Sequence, residues 1–460
     1  MPDDAAPSRG DWLYLGLSAL AVVASVFKAP SFPSDDAALF EYFGWAMLGG
    51  QRLYADLLDV KLPSVFVVNA LWQRLFGDRY ILHTCAEAVV AAATISLFAL
   101  LLRRWKIQAW ALGTFVFAVA FVLPFNEFDF AEHYAVFFIV LGLYLSARGS
   151  NLWAGAALAV ATTFWLASSL TCIPILLQPI GRRARFALLA GFAATCALYA
   201  IGALAAFGAG PIANLIHVWA VRFARVPPRM EFIEPLDMIV GALVLLLLLA
   251  VRRPLGPASR FALVWSGCAA LGTAIPPNFF ESYFLPLTPA LSMAIASFGL
   301  PRANLIRRPS FALGALVLVA LATQRALAIR TAIADLQSNY VPVGAWIRSS
   351  IGSDATIYTE EYLPEVFLAA HARMPAPASL LVFSPGRLEW LRPPQLLVFG
   401  PRFASPVARQ NQPLFATRHD RREYDPVCTG RTGSLILYAP PQDVSTFRCG
   451  ARNLSFGSRS

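Results

Sequence analysis

The reading of this chain turns on Ser34-Asp35-Asp36-Ala37-Ala38-Leu39-Phe40, which continues through Leu48-Gly49-Gly50-Gln51-Arg52-Leu53-Tyr54-Ala55-Asp56 to Asp59-Val60-Lys61-Leu62-Pro63. An apolar run from Trp12 to Ala29 leads straight into it. A span needs roughly 20 mainly apolar residues, so this run delivers two adjacent carboxylates to a membrane surface. Acids placed there ask for a functional account.

Working outward, the 460 residues are 57% hydrophobic and 14% charged, with a mean hydropathy of +0.58. Soluble domains carry about 25% charged residues, so the composition is that of a polytopic membrane protein. The net charge of +10 does not form a stripe suited to nucleic acid, because the arginines gather at the ends of apolar runs. Met1 to Gly10 is acidic and lacks a basic leader region and a small-residue cleavage site, so Trp12 to Ala29 reads as a retained first span.

Further spans are expected over 80–102, 107–124, 132–147, 151–167, 168–181, 186–207, 237–251, 260–276, 282–300 and 309–326, about eleven in all. With the N-terminus inside, Arg103-Arg104-Trp105-Lys106, Arg148, Arg182-Arg183-Ala184-Arg185, Arg252-Arg253 and Arg302 with Arg307-Arg308 all fall on the cytoplasmic side. That is the positive-inside pattern. Counting Pro63 to Phe76 as a span would invert every later loop, so this segment is expected to be a helix at the outer surface. The outward parts are then residues 30–79, 124–132, 208–237 and 276–281, and the tail from about Leu327.

The tail changes regime. Helices are expected at Tyr340 to Ser350 and Pro364 to Arg373, and strands at Ala355 to Thr359, Ser379 to Phe383, Gln395 to Phe399 and Ser434 to Tyr438. The expected architecture is an all-α polytopic membrane domain over 1–326 followed by a small α/β extracytoplasmic domain over 327–460. No internal repeat of the kind found in inverted-repeat transporters is visible. Cys85, Cys172, Cys196 and Cys268 lie in apolar runs and read as small buried hydrophobes. Cys428 and Cys449 flank a strand-like segment in the polar tail, where a disulfide is expected if that region lies outside the cytoplasm.

Asp35 and Asp36 admit two compatible readings. Ser-Asp-Asp before an apolar stretch is a good helix cap. Alternatively, one carboxylate is a general base whose neighbour raises its pKa by like-charge repulsion and partial desolvation. Lys61 is the outer-side lysine after the first span, and Arg222, Arg225 and Arg229 crowd one outer loop with His217. These cations suit lipid headgroups or a donor phosphate equally, since Arg serves both. Glu127, Asp129, Glu132 and His133 form a second acidic group, a hydrated turn or a divalent-cation site without tight ligand spacing. Glu281 and Tyr283 stand at the mouth of a span, to order a pocket or, for the tyrosine, to anchor at the interface. No Gly-rich phosphate loop, nucleophile elbow or CxxC pair appears.

The acid pair after a first span, then Gly49-Gly50-Gln51-Arg52-Leu53-Tyr54-Ala55-Asp56-Leu57-Leu58-Asp59-Val60-Lys61-Leu62-Pro63 and Leu75-Phe76-Gly77, resembles the GT-C superfamily. The similar group is that of dolichyl-phosphate-mannose protein mannosyltransferase-like and aminoarabinose-transferase-like bacterial enzymes. Phe280-Glu281-Ser282-Tyr283-Phe284-Leu285-Pro286-Leu287-Thr288-Pro289 resembles the opening of a late span in that family. Val343-Gly344-Ala345-Trp346-Ile347-Arg348, with Asp354-Ala355-Thr356-Ile357-Tyr358, resembles its extracytoplasmic tail. The resemblance implies transfer of a sugar, with inversion, from a polyprenyl-phosphate carrier to a glycan, lipid or protein acceptor at the outer face of a bacterial plasma membrane. It assigns the base to Asp35 by position, with Asp36 standing where the family often has Glu. It makes Glu132 with His133 an acceptor-positioning group, and implies no cofactor, a divalent metal being left open. A transporter or lipid flippase is the alternative, and would favour charges at mid-depth in the spans. An envelope assembly protein that binds lipid without catalysis is a third reading.

Overall fold

The computed structural model describes residues 7–29, 32–33, 35–124, 130–225, 256–275, 281–298, 340–353, 355–359, 364–374, 378–379, 396–399, 425–429 and 436–439. Ser8 opens the first helix, α1 (Arg9–Lys28), with a capping box: its Oγ accepts from the Asp11 amide, and its own amide donates to the Asp11 carboxylate at 3.0 Å. Two of the orphan N–H groups at the helix start are satisfied this way.

The chain then forms α2 (Asp35–Leu48), the short strand β1 (Leu57–Leu58), α3 (Pro63–Phe76), α4 (Tyr80–Arg104), α5 (Trp110–Val122), α6 (Ala131–Ala147) and α7 (Asn151–Phe164). A 3₁₀ turn (Leu166–Thr171) leads into α8 (Cys172–Leu176), followed by α9 (Arg182–Phe207) and α10 (Ala209–Arg225). Next come α11 (Pro257–Ala274), a 3₁₀ turn (Glu281–Phe284), α12 (Leu287–Ser297), α13 (340–350), β2 (Ile357–Thr359) and α14 (Pro364–Ala370). The last described elements are β3 (Ala378–Ser379), β4 (Leu396–Phe399), β5 (Asp425–Thr429) and β6 (Ile436–Ala439). Among the described residues, three helices are long and apolar enough to cross a bilayer: Arg9–Phe27, Tyr80–Arg104 and Arg182–Phe207.

Three expected spans differ from what is seen. Over 151–181 the helix ends at Phe164, Trp165 is extended (φ −142°, ψ 110°), and a 3₁₀ turn and the five-residue α8 follow. Pro174 has no N–H to give to a preceding turn, so a helix can restart just before it but cannot run through it. Over 282–300 the same logic applies: Pro286 is the N-cap of α12, and the residues before it form a 3₁₀ turn. The expected spans at 237–251 and 309–326 lie outside the described residues.

The chain divides into two compact units. The first comprises Met1–Ala29, Ile81–Gly202 and Val226–Arg330. Its core is aromatic, with Phe98 and Phe117 4.6 Å apart and Trp105 stacked on Phe261 at 4.8 Å. Helices in lipid gain nothing from hiding apolar surface, so association rests on close packing of small residues. A Cβ at Gly113 of α5 would come within 2.6 Å of the Ala296 Cβ of α12.

The second unit comprises Pro30–Tyr80, Ala203–Arg225 and Thr331–Ser460. Here α2 crosses α3 at Gly44, where a Cβ would stand 2.6 Å from the Ala70 nitrogen. Phe66 fills the space beside the crossing, 5.7 Å from Phe40 and 5.0 Å from Phe43. The sequence places a helix at Pro63 to Phe76, and α3 has those bounds, with Pro63 in its first turn. The loop also pairs with the tail: β1 runs parallel to β3, Leu57 opposite Ala378 and Leu58 opposite Ser379. The other strands form a sheet of order β2-β4-β6-β5, with β2 parallel to β4 and the remaining pairs antiparallel. Strand β5, absent from the sequence reading, contains Cys428 and bulges between Pro426 and Cys428. Cys449 lies outside the described residues.

Candidate functional site

Asp35 and Asp36 form the first turn of α2. A helix start favours negative charge, through its unpaired N–H groups and the macrodipole. Asp36 is half-buried, and the residues behind it, Ala37 through Phe43, lie in the core of the second unit. Phe40 sits four residues on, hence on the same helix face as Asp36. The Lys61 ammonium stands over the Phe40 ring, 5.9 Å from its centroid, within the cation–π range of about 6 Å.

Lys61 is held by its backbone. Its amide donates to Asp59 Oδ1 at 2.7 Å, and its carbonyl accepts from the Tyr54 hydroxyl at 2.6 Å. The preceding carbonyl, of Val60, accepts from Trp219 Nε1 of α10 at 2.6 Å. Tyr54 itself is fully buried and left-handed (φ 61°). A non-glycine residue holds such a conformation only when its surroundings over-determine it. Here the Tyr54 amide donates to Leu57 O at 2.6 Å and its carbonyl accepts from Asn214 Nδ2 at 2.9 Å. Arg52 adds a bidentate contact to Asp56, at 3.3 Å for each nitrogen. The Arg-Leu-Tyr-Ala-Asp run of the sequence is thus a rigid turn that carries a lysine.

Arg222 and Arg225 follow Trp219 within the last two turns of the same helix, α10. Arg229, Glu127 and Asp129 lie outside the described residues. The second unit therefore brings together the acid pair, Lys61 and the α10 segment bearing two of the arginines.

The remaining candidates belong to the first unit. Glu132 and His133 occupy the first turn of α6 and are buried. His133 Nε2 lies 3.4 Å from Phe121 O, and its ring meets Phe121 edge to face at 5.0 Å. Glu281 begins a 3₁₀ turn; Tyr283 is buried, its ring 6.5 Å from Trp165, and its carbonyl accepts from Thr273 Oγ1 at 3.2 Å.

Two buried acids escaped the sequence reading. Glu41, one turn and a half past Asp35, accepts from Gln73 Nε2 of α3 at 2.7 Å. Glu87, in the N-terminal half of α4, accepts from the Tyr134 hydroxyl at 3.1 Å. The signal that could have found them is an acid inside an apolar helical run, which needs a partner. Neither partner is visible from local sequence, being 32 residues away for Glu41 and 47 for Glu87.

The chain has the GT-C fold of the solved structures with which it aligns. It aligns over 95% of its length, and 99% of the other chain, with ArnT from Cupriavidus metallidurans bound to undecaprenyl phosphate, at a TM-score of 0.65 and 13% identity. The oligosaccharyltransferase of Archaeoglobus fulgidus aligns over 92% of this chain and 73% of its own, at a TM-score of 0.52 and 13% identity. In sequence, the chain is 29% identical over 140 residues to the dolichol phosphate-mannose mannosyltransferase of Haloferax volcanii. That match covers 29% of this chain and 31% of the relative, so the matched stretch spans about a third of the relative's length. No family model matches the chain.

Proposed function

We propose that this protein is an integral-membrane, inverting glycosyltransferase that moves a sugar from a polyprenyl-phosphate donor to an acceptor hydroxyl at the outer face of a bacterial plasma membrane. The observation that carries the reading is the acid pair at the start of α2, with Lys61, fastened through its backbone, over Phe40 on the helix face of Asp36. The fold shared with an undecaprenyl-phosphate-bound protein supports the donor class, and the mannosyltransferase match supports the reaction class. The basic clusters at one set of helix ends support the orientation.

In this reaction Asp35, or Asp36 in its place, takes the proton of the acceptor hydroxyl as its oxygen attacks the anomeric carbon. The bond from that carbon to the phosphate oxygen breaks, and its electron pair leaves with the phosphate. A phosphate leaving group needs charge stabilisation rather than a strong acid. Lys61 and the arginines Arg222, Arg225 and Arg229 supply it. Glu132, His133, Glu281 and Tyr283 position the acceptor, and the step as written calls for no cofactor, a divalent metal being left open. A polytopic membrane domain, with 327–460 as an extracytoplasmic domain closed by a Cys428–Cys449 disulfide, completes the proposed topology.

The test uses the purified full chain in lipid nanodiscs, a panel of polyprenyl-phosphate sugars, and loss of lipid-linked donor as the readout. Asp35→Asn is expected to lower the rate by about 10²–10⁴, the usual contribution of a general base. Lys61→Met is expected to lower it less, and treatment with EDTA to leave it unchanged. Full activity in both Asp35→Asn and Asp36→Asn would refute the base.

A further inference from the structure

One end of the first unit carries more positive charge than its helices call for. Helix α9 opens with Arg182, Arg183 and Arg185, all exposed, and has no acid in its first turn. Cations there stand against the positive end of the helix macrodipole, so the helix itself gains nothing from them. Arg185 is held by a bond from Nη2 to the Gln178 carbonyl at 3.2 Å. The same end continues onto neighbouring helices. Exposed Arg148 follows α6 and lies over the Tyr144 ring, 5.8 Å from its centroid, and exposed Arg104 at the end of α4 donates from Nε to the Ala147 carbonyl at 3.2 Å. The end of α6 is tied to the start of α7 by a bond from Ser146 Oγ to Asn151 Oδ1 at 3.2 Å, and α7 crosses α9 at Gly155 and Gly191.

No Asp or Glu occurs from Ala88 to Asn126 or from Tyr134 to Met230. The positive-inside pattern accounts for Lys and Arg at one set of helix ends, but it does not ask acids to stay away. A surface of a single sign suits an anion, and the next turn of α9 says which kind. Phe186 and Leu189 are exposed directly after the arginines, and Trp153 of α7, beside the crossing, is 66% exposed. At a rise of about 1.5 Å per residue, Leu189 lies only about 6 Å from Arg185 along the helix axis. A soluble phosphate or an acidic protein would leave that apolar band uncovered. An anion that fits both levels carries its charge on a headgroup and hydrocarbon beneath it.

We propose that the start of α9, with the adjoining ends of α4 and α6, is a binding surface for anionic phospholipid, whose headgroup phosphates meet the arginines and whose acyl chains lie along Phe186, Leu189 and Trp153. The planar guanidinium offers a phosphate two parallel donors, and the aromatic rings suit the border between headgroup and hydrocarbon. Lipid binding here involves the first unit alone and is independent of the transferase reading.

The purified full chain, stripped of lipid in a neutral detergent, is titrated with phosphatidylglycerol and with phosphatidylcholine of the same acyl chains, and native mass spectrometry counts the lipid retained. Phosphatidylglycerol is expected to bind about tenfold or more tightly than phosphatidylcholine, a preference that shrinks as salt is raised. Removing all three arginines would weaken the topology signal, so Arg182→Gln, Arg183→Gln and Arg185→Gln are made singly and checked for the parental unfolding temperature. Each is expected to weaken phosphatidylglycerol by about fivefold, the share of one cation near a charged membrane surface, and to leave phosphatidylcholine unchanged. Arg183→Lys keeps the charge and is expected to stay close to the parent. Equal retention of the two lipids, or parental phosphatidylglycerol affinity in all three glutamine variants, would overturn the lipid surface. Competition with inorganic phosphate and with poly-glutamate tests the other occupants: displacement of phosphatidylglycerol by equimolar phosphate would make this a free-anion site, and displacement by poly-glutamate a docking face for an acidic protein, either of which overturns the lipid assignment.

Discussion

Helices α2 and α9 each seat a glycine against another helix's backbone, but their remaining surfaces meet different surroundings. A Cβ at Gly44 of α2 would clash with the backbone of Asn69 and Ala70 in α3. A Cβ at Gly191 of α9 would overlap the Leu152 carbonyl of α7, and one at Gly155 of α7 the Leu188 carbonyl of α9. Around its glycine, α2 is wrapped by protein: Ala37, Ala38, Leu39, Phe40, Glu41, Tyr42, Phe43 and Ala46 are all buried. Along α9 only Leu188 and Gly191 are buried, while Phe186 is 74% and Leu198 70% exposed. Two apolar sequences thus carry opposite instructions. The first belongs to a folded protein core, and the second presents an apolar surface suited to lipid tails.

The sharpest way to break this contrast is a bulky residue at each glycine. Gly44→Leu forces apart two helices whose other faces are already packed, which costs at least the roughly 1–3 kcal/mol of overpacking and more if the crossing opens. It is expected to lower the unfolding temperature in detergent and to abolish transfer. Gly191→Leu separates α9 from α7 along a seam with few other buried side chains, so its main expected effect is loss of helix association in the membrane, read by cross-linking between engineered cysteines on α7 and α9. Equal, small effects at both positions would mean that neither glycine decides its helix's seat.

A second test removes the polar fastening peculiar to α2. Gln73→Leu leaves the Glu41 carboxyl buried without its 2.7 Å donor. Stranding a buried hydrogen-bonding group costs about 1–3 kcal/mol, more if it is charged. Thermal unfolding should register that loss, and the double variant Gln73→Leu with Glu41→Leu should recover part of it, because the Gln73 bond to Tyr80 stays lost. Failure of the second change to rescue the first would show that Glu41 acts through some other group.

Much of this was legible in the sequence, for a physical reason. The bounds of α3 follow from Leu62-Pro63, since proline presets the first turn, and the spans matching α4 and α9 follow from long unbroken apolar runs. The site was legible only as a list. Asp35, Asp36 and Lys61 are distinguished by charge beside an apolar segment, but the fixtures that make Lys61 a mounted cation are buried Tyr54 together with the Asn214 and Trp219 side chains of α10, about 160 residues away in the chain. The pairing of β1 with β3 and the bond from the Met374 amide to the Tyr42 hydroxyl at 3.1 Å are equally non-local. Local pattern reports which surface a residue prefers, and cannot report which distant segment supplies that surface.

The smallest expected effect concerns how the tail is fastened to the loop within the second unit. His371 follows α14 in a left-handed conformation (φ 51°), packs its ring at a tilt against Trp45, and places Nε2 3.2 Å from Asp78 Oδ1 and 3.4 Å from Arg348 Nη1. Burial pushes its pKa below the ordinary imidazole value, with the Asp78 carboxylate opposing the shift and Arg348 adding to it. Between the depressed folded value and the ordinary one, the unfolded chain binds more protons than the folded chain, so stability rises with pH. The fastening is therefore complete above the ordinary value near 6.5 and weakens as pH falls through it toward the folded one. Hydrogen exchange over residues 364–374, corrected for intrinsic rates, should show less protection at about pH 5.5 than at about pH 7.5. His371→Asn keeps the left-handed turn, which asparagine tolerates, but cannot take up the proton, so the difference between the two conditions should shrink. Equal protection at both pH values in the parent chain would mean that the Asp78 pairing offsets the desolvation of the ring, and that the loop holds the tail without any titrating part.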